Sequence, residues 1–325
     1  MNPPAQTMSS SALAARRNLV LAVCSIAMFT GTFVTTVVAV ALPVMGPALQ
    51  LSYSEALWVQ AIYVLAMSVF LVPVGRLADQ YGLARFFLIG SSIFGVFSIV
   101  CALATSGSFL IVARCLQGVG AGFTAATAPA LVTAAFPQKE RGRALGLNAM
   151  AGYLGLMAGP PLGGLIVSHA SWRWIFLVNV PLVIINLVGT CCLLAPESRD
   201  RKAMASAPGA PGRAPSGAHL DWPGVALLAL MLSALLVPLI FVPFWGWTSP
   251  LTLGLLVAAV ILFVAFVLAE DRVRDPLLDL DLVRKNRLFA AASAAAFLNY
   301  AAVHGVTTLV AVFLEVTRGY SAQTA

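Results

Sequence analysis

The chain has 325 residues, of which 60% are hydrophobic and only 10% charged, and its mean hydropathy is +0.93. A water-soluble globule of that composition would expose large apolar area, so a soluble fold is excluded and lipid is the expected solvent. The formal charge of +7 is scattered over several loops without interleaved aromatic residues, which excludes a nucleic-acid footprint.

A helix needs roughly 20 consecutive apolar residues to cross the hydrocarbon core with every backbone polar group satisfied internally. A polar tail, 1–18, precedes six such runs at 19–44, 56–74, 86–105, 108–136, 144–168 and 174–194. Together they predict a six-helix bundle over 19–195. Residues 196–221, PESRDRKAMASAPGAPGRAPSGAHLD, have the composition of a flexible linker. Two further runs, 223–244 and 251–269, make a central pair within 222–270. The segment 271–287 contains LLDLDLVRKN and reads as lying along the interface, leucines toward lipid and charges toward water. A ninth run, 288–314, opens the last stretch, 288–325. The runs are continuous and about twice the length of a barrel strand, which excludes a membrane β-barrel. The fold class is therefore an all-α membrane protein with nine predicted transmembrane helices.

Of the 19 basic residues, 16 lie before the first run or after an even-numbered one. The positive-inside rule then places the N-terminus, the turn after the second run and the 196–221 linker in the cytoplasm of a multi-pass inner (plasma) membrane protein. Cys24, Cys101, Cys115, Cys191 and Cys192 sit within the runs at no ligand spacing and read as packing residues. His169, His219 and His304 form neither a metal nor a triad spacing, and no phosphate-binding loop of the G-x-x-x-x-G-K type occurs. An enzyme, a metal site and a bound cofactor are not expected.

Four places carry polar or backbone chemistry. The turn GRLADQYGLAR, Gly75 to Arg85, supplies Gly75 and Gly82 for a tight reversal. In it Asp79 is expected to accept from N–H groups at a helix start and to pair with Arg76 or Arg85; a plain solvated turn is the alternative. In the fourth run Arg114 is a charge inside lipid, which costs about 2.5–3.5 kcal/mol on insertion scales unless paired or hydrated. With Gln117 one turn on, it is expected to face an internal cavity, the alternative being an arginine that snorkels to the outer interface. The nearby GVGAG is no dinucleotide loop, since no strand precedes it. In the fifth run Gly155, Gly159, Gly163 and Gly164 leave a groove for close helix packing, and Pro160 with Pro161 removes hydrogen bonds and bends the helix, as a gate or as plain packing. His304, in the ninth run, is the remaining titratable candidate for proton exchange, the alternative being a neutral histidine hydrogen-bonded to a neighbouring helix.

These motifs, GRLADQYGLAR, ARCLQGVGAG, GLMAGPPLGG, SWRWIFLVNVP, DWPG and PLLDLDLVRKNRLFA, resemble those of the major facilitator superfamily and, within it, the drug:proton antiporters with fourteen spans. The resemblance implies a helical bundle and secondary active transport by alternating access, driven by a proton gradient and exporting drugs or other amphipathic small molecules. Gly75, Arg76, Asp79, Gly82 and Arg85 would form a conformational latch, Gly155, Gly159, Pro160, Gly163 and Gly164 the gating helix, and Arg114, Gln117 and His304 the coupling groups. Spacing suggests Trp58, Gln60, Tyr63, Asn148, Tyr153 and Met157 as cavity-lining residues. In the first run the family's acid and asparagine are replaced by Val34 and Ala39, so Arg114 has no predicted carboxylate partner. The family pairs two six-helix bundles, and here about five spans of the second would be missing. Export of a sugar, amino acid or siderophore, or a truncated fragment that does not transport, are the alternative readings.

Overall fold

Where the backbone has no water to bond, helix is the form that satisfies it locally, and the computed structural model shows only helices and turns among its described residues. These are residues 10–205, 221–273, 277, 285–299, 301 and 302. Nine named helices follow in order: α1 Ser10–Leu49, α2 Tyr53–Tyr81, α3 Leu83–Ala102, α4 Gly107–Ala135, α5 Gln138–His169, α6 Trp174–Leu177, α7 Asn179–Ala205, α8 Trp222–Trp245 and α9 Pro250–Glu270. Helix α6 and the first part of α7, parted at Val178, together make the sixth span, so that eight spans among the described residues are long and apolar enough to cross a membrane. Residues 287–299 are also helical, at the start of the ninth predicted span; His304 lies outside the described residues.

Several helices outrun the apolar segments that announced them. The first helix begins at Ser10, inside the predicted polar tail, and α5 begins at Gln138, six residues before its apolar run. Helix α7 continues to Ala205, so the first ten residues of the predicted 196–221 linker are helical, while 206–220 fall outside the described residues. Hydropathy marks the lipid-buried length, whereas hydrogen bonding carries a helix on into water. Local chemistry sets the other ends. Ser52 and Glu55 form a capping box at the start of α2, Ser106 accepts from the Phe109 N–H at the start of α4, and Gly246, at φ +78°, ends α8.

Within the bundle α1 packs on α5, α2 and α3 flank α4, and α7 fills the angle between α1 and α3. One apolar cluster gathers Val34, Val37, Val59, Phe94, Leu110 and Phe176; a second, near the other ends of the same helices, gathers Val20, Phe87, Ala128, Val132 and Leu193. The α8–α9 hairpin leans on α2, where Tyr53 meets Phe244 at 4.7 Å and Trp58 meets Phe241 at 5.1 Å between ring centroids.

The run GVGAG in α4 explains how three helices come so close. A Cβ on Gly120 would lie 2.5 Å from the Phe94 nitrogen and 2.8 Å from the Gly90 carbonyl oxygen of α3. On the other side, a Cβ on Gly122 would lie 2.8 Å from the Met67 carbonyl oxygen of α2, and one on Gly118 would collide with the Tyr63 carbonyl. The alternating glycines thus make a packing seam with a neighbour on each side, as small residues do where helices must meet in lipid.

Candidate functional site

At the centre of this packing lies Arg114, with no exposed surface. Its Nε donates to the Val59 carbonyl at 3.1 Å, its Nη1 donates to Gln117 Oε1 at 2.7 Å, and the Tyr63 ring centroid lies 4.2 Å from its guanidinium carbon. The Gln117 amide nitrogen donates to Ser98 Oγ at 2.8 Å, and the Ser98 hydroxyl donates to the Phe94 carbonyl at 2.7 Å. Cys101 completes the cluster, its sulfur 3.8 Å from Gln117 Oε1. Behind the ring, the Tyr63 hydroxyl donates to the Gly31 carbonyl of α1 at 3.0 Å.

This geometry overturns the snorkelling alternative, because the guanidinium is enclosed by α2, α3 and α4 rather than drawn out to an interface. Its partners are neutral dipoles and a π face, with no ion pair to a carboxylate among the described residues; Val34, where the resemblance expects an acid, is buried in the apolar cluster. Two hydrogen bonds to a charged group contribute about 1.5–3 kcal/mol each, and a desolvated cation–π contact about 2 kcal/mol, enough to offset the insertion cost. One donor is left over: Arg114 Nη2 is buried without a hydrogen-bond partner.

The candidate cavity residues do not converge. Tyr63 belongs to the arginine's cage. Gln60 donates to the Thr35 carbonyl at 2.6 Å and leaves its Oε1 buried without a partner. Trp58 turns instead to the hairpin, against Phe241. Asn148 is buried on the same face of α5 as its glycines, with its amide nitrogen unpartnered. Tyr153 accepts from the Asn299 amide at 3.0 Å, and Met157 is 73% exposed. Helical spacing alone scattered these six over different surroundings.

In α5 three of the four predicted glycines face α1. A Cβ on Gly155 would collide with Thr32 and the Phe29 carbonyl, one on Gly159 with Thr36, and one on Gly163 would lie 2.9 Å from Val37 Cγ2. Gly164 has nothing within 4 Å and is no part of the seam. Gly152, which the sequence reading missed, belongs to it instead, and its carbonyl accepts from the Thr32 hydroxyl at 2.8 Å. Pro160 and Pro161 lie on the exposed side of the unbroken helix, where they leave the i−4 carbonyls without N–H donors.

The GRLADQYGLAR turn corrects another expectation. Asp79 and Arg85 are exposed, and Asp79 forms no pair with Arg76 or Arg85. No side chain caps α3. Gly82, at φ +113° and ψ 120°, makes the reversal alone, its N–H donating to the Ala78 carbonyl at 2.8 Å. Arg76 reaches away from the turn, its Nε donating to the Leu277 carbonyl at 3.1 Å; Gly75 is half-buried with open space beside it. Ser98 was also missed. Its sequence signal was faint: Ser91 and Ser98 stand seven residues apart on the face that α3 turns inward.

Long apolar helices meeting at glycine seams around a caged guanidinium define a multi-pass helical membrane protein with polar chemistry inside. The family model for the Major Facilitator Superfamily matches residues 23–222, and the chain belongs to that superfamily. It is 36% identical over 286 residues to the multidrug resistance protein Stp of Mycobacterium tuberculosis (strain CDC 1551 / Oshkosh), covering 88% of this chain and 50% of that protein. It is 33% identical over 256 residues to the tetracenomycin C resistance and export protein of Streptomyces glaucescens, covering 79% and 45%. To the puromycin resistance protein pur8 of Streptomyces alboniger it is 38% identical over 244 residues, covering 75% and 45%. The chain spans about half the length of the curated relatives it matches.

Proposed function

We propose that the described helices are the N-terminal bundle and central hairpin of a proton-coupled exporter of drugs or other amphipathic small molecules in the inner membrane, with the N-terminus in the cytoplasm. The observation that carries this reading is the similarity, over three quarters or more of the chain, to proteins named for drug resistance and export. Alternating access rocks one bundle against another, so the working unit includes a second bundle beyond the helices described. The energy source is the proton gradient, and no cofactor takes part.

In this reading Arg114 is the coupling charge and Gln117 its positioning partner. The unsatisfied Nη2 and the absence, among the described residues, of a fixed carboxylate beside it leave the guanidinium able to take an anionic partner in one state of the cycle and release it in another. The close-packed glycine seam between α5 and α1 makes that pair the gating element, moving as one body, and the Gly82 reversal with Arg76 is the cytoplasmic latch. His304 stays a second candidate for proton exchange.

The test is accumulation of ethidium, puromycin and tetracenomycin in an efflux-deficient bacterium that expresses the chain together with the coding sequence that follows it. Lower accumulation, restored by an uncoupler, is expected. Unchanged accumulation of every compound, or export that ignores the uncoupler, would remove the reading. Cysteine labelling tests the orientation: residues 75–85 and the 206–220 stretch should react from the same face.

A further inference from the structure

A recess of about 310 Å³ lies among α1, α3, α4 and α7, well away from the caged arginine. Arg16 and Arg17 stand on its α1 side, and Val20, Ala84, Leu131 and Leu193 supply apolar walls. Helices α1 and α3 begin here, while α4 ends here and α7 is leaving its apolar run, so the recess sits at the ends of the apolar spans on one face of the bundle. Arg16 and Arg17 are half-buried residues that immediately precede the apolar run of α1.

We propose that this recess binds an anionic phospholipid, its headgroup phosphate held by Arg16 and Arg17 and the first methylenes of its acyl chains lying on Val20, Leu131 and Leu193. Charge complementarity selects the headgroup, and the apolar half selects a lipid over a soluble anion, which would have nothing to place against those walls. In the orientation proposed above the recess opens at the cytoplasmic leaflet, where juxtamembrane basic residues meet anionic headgroups. Binding itself requires neither that orientation nor transport.

The test uses the full chain in nanodiscs of phosphatidylcholine with increasing phosphatidylglycerol, and native mass spectrometry to count retained lipid. Each arginine near an anionic surface is worth about 1 kcal/mol, so Arg16→Gln with Arg17→Gln should weaken phosphatidylglycerol retention by roughly 30-fold. Lys139→Gln with Arg143→Gln removes two exposed basic groups of α5 outside the recess and should leave retention within about twofold. Ala134→Phe fills the recess and keeps both charges, and should also release the lipid. Excess inorganic phosphate should not displace it from the wild-type chain. Equal losses in the two double variants would show surface charge alone, displacement by phosphate would show a soluble-anion site, and no preference for phosphatidylglycerol in the wild type would show no site; each outcome overturns the proposal. The phosphate and wild-type arms need no substitution, so they hold even if a variant fails to fold.

Discussion

Helices α4 and α9 are both long enough to span the membrane, yet they solve opposite problems. Half of an 18-residue apolar stretch of α4 is buried, against 17% in α9, while α9 is the most apolar of the spans among the described residues and α4 among the least. Lipid, not protein, demands hydropathy. Helix α9 presents Leu253, Val257, Val260, Ile261 and Val264 to its surroundings, whereas α4 is wrapped by neighbours and can hold Arg114, Gln117, Thr124 and three close-packed glycines. Helix α5 breaks the trend, being neither strongly apolar nor deeply buried. Its mixed face is what a helix beside a wet pathway would show.

The largest effect expected from this contrast is between two glycines. Gly120→Val must push its Cβ into the backbone of α3 and should cost about 3 kcal/mol or more, seen as loss of monodisperse protein and a lower thermal midpoint in detergent. Gly254→Val in α9, with open space around it, should shift the midpoint by an amount equivalent to about 0.5 kcal/mol or less. If both are tolerated alike, the contrast between the helices is wrong. Next comes the cage. Arg114→Met takes a donor from the Val59 carbonyl and from Gln117 Oε1 but also removes a buried charge, so its stability should fall by no more than about 2 kcal/mol while the proposed export is lost. Arg114→Lys keeps the charge without the planar fork that reaches both acceptors and should lower the proposed export at least about tenfold. Full export in Arg114→Lys would reduce the residue to a point charge.

Smaller effects probe the seams and ends. Thr32→Val deletes the bond to the Gly152 carbonyl and should destabilise by about 1 kcal/mol, measurable as a lower midpoint together with faster cysteine labelling at the α1–α5 contact. Ser52→Ala breaks the exposed capping box of α2 and should also cost about 1 kcal/mol. A loss at Ser52 larger than that at Gly120 would invert the ranking.

What could be read in advance follows from which forces are local. The spans were legible because lipid acts on every residue of a run, and the Arg114–Gln117 bond because three residues of helix put those side chains on one face. The remaining members of the cage, the Val59 carbonyl, the Tyr63 ring, Ser98 and Cys101, come from two other helices, and a single chain read linearly does not say which faces meet. The same reason scattered the proposed cavity residues, of which Trp58 went to the hairpin and Tyr63 to the arginine. The expected Asp79 pairing failed differently: the Gly82 backbone makes the reversal, its N–H donating to the Ala78 carbonyl, while the Asp79 side chain stays exposed and α3 starts without a side-chain cap. Gly164, next to Gly163, points to the wrong side of its helix to share the seam.

The alternating glycines of α4 have a mechanical consequence. Because they bring the central helix to backbone distance from a neighbour on each side, α2, α4 and α3 cannot slide past one another without collision. They must turn together as a stiff plate, with α1 and α5 riveted beside it as a pair, so a push at either membrane surface is delivered across the full thickness of the bilayer with little slack.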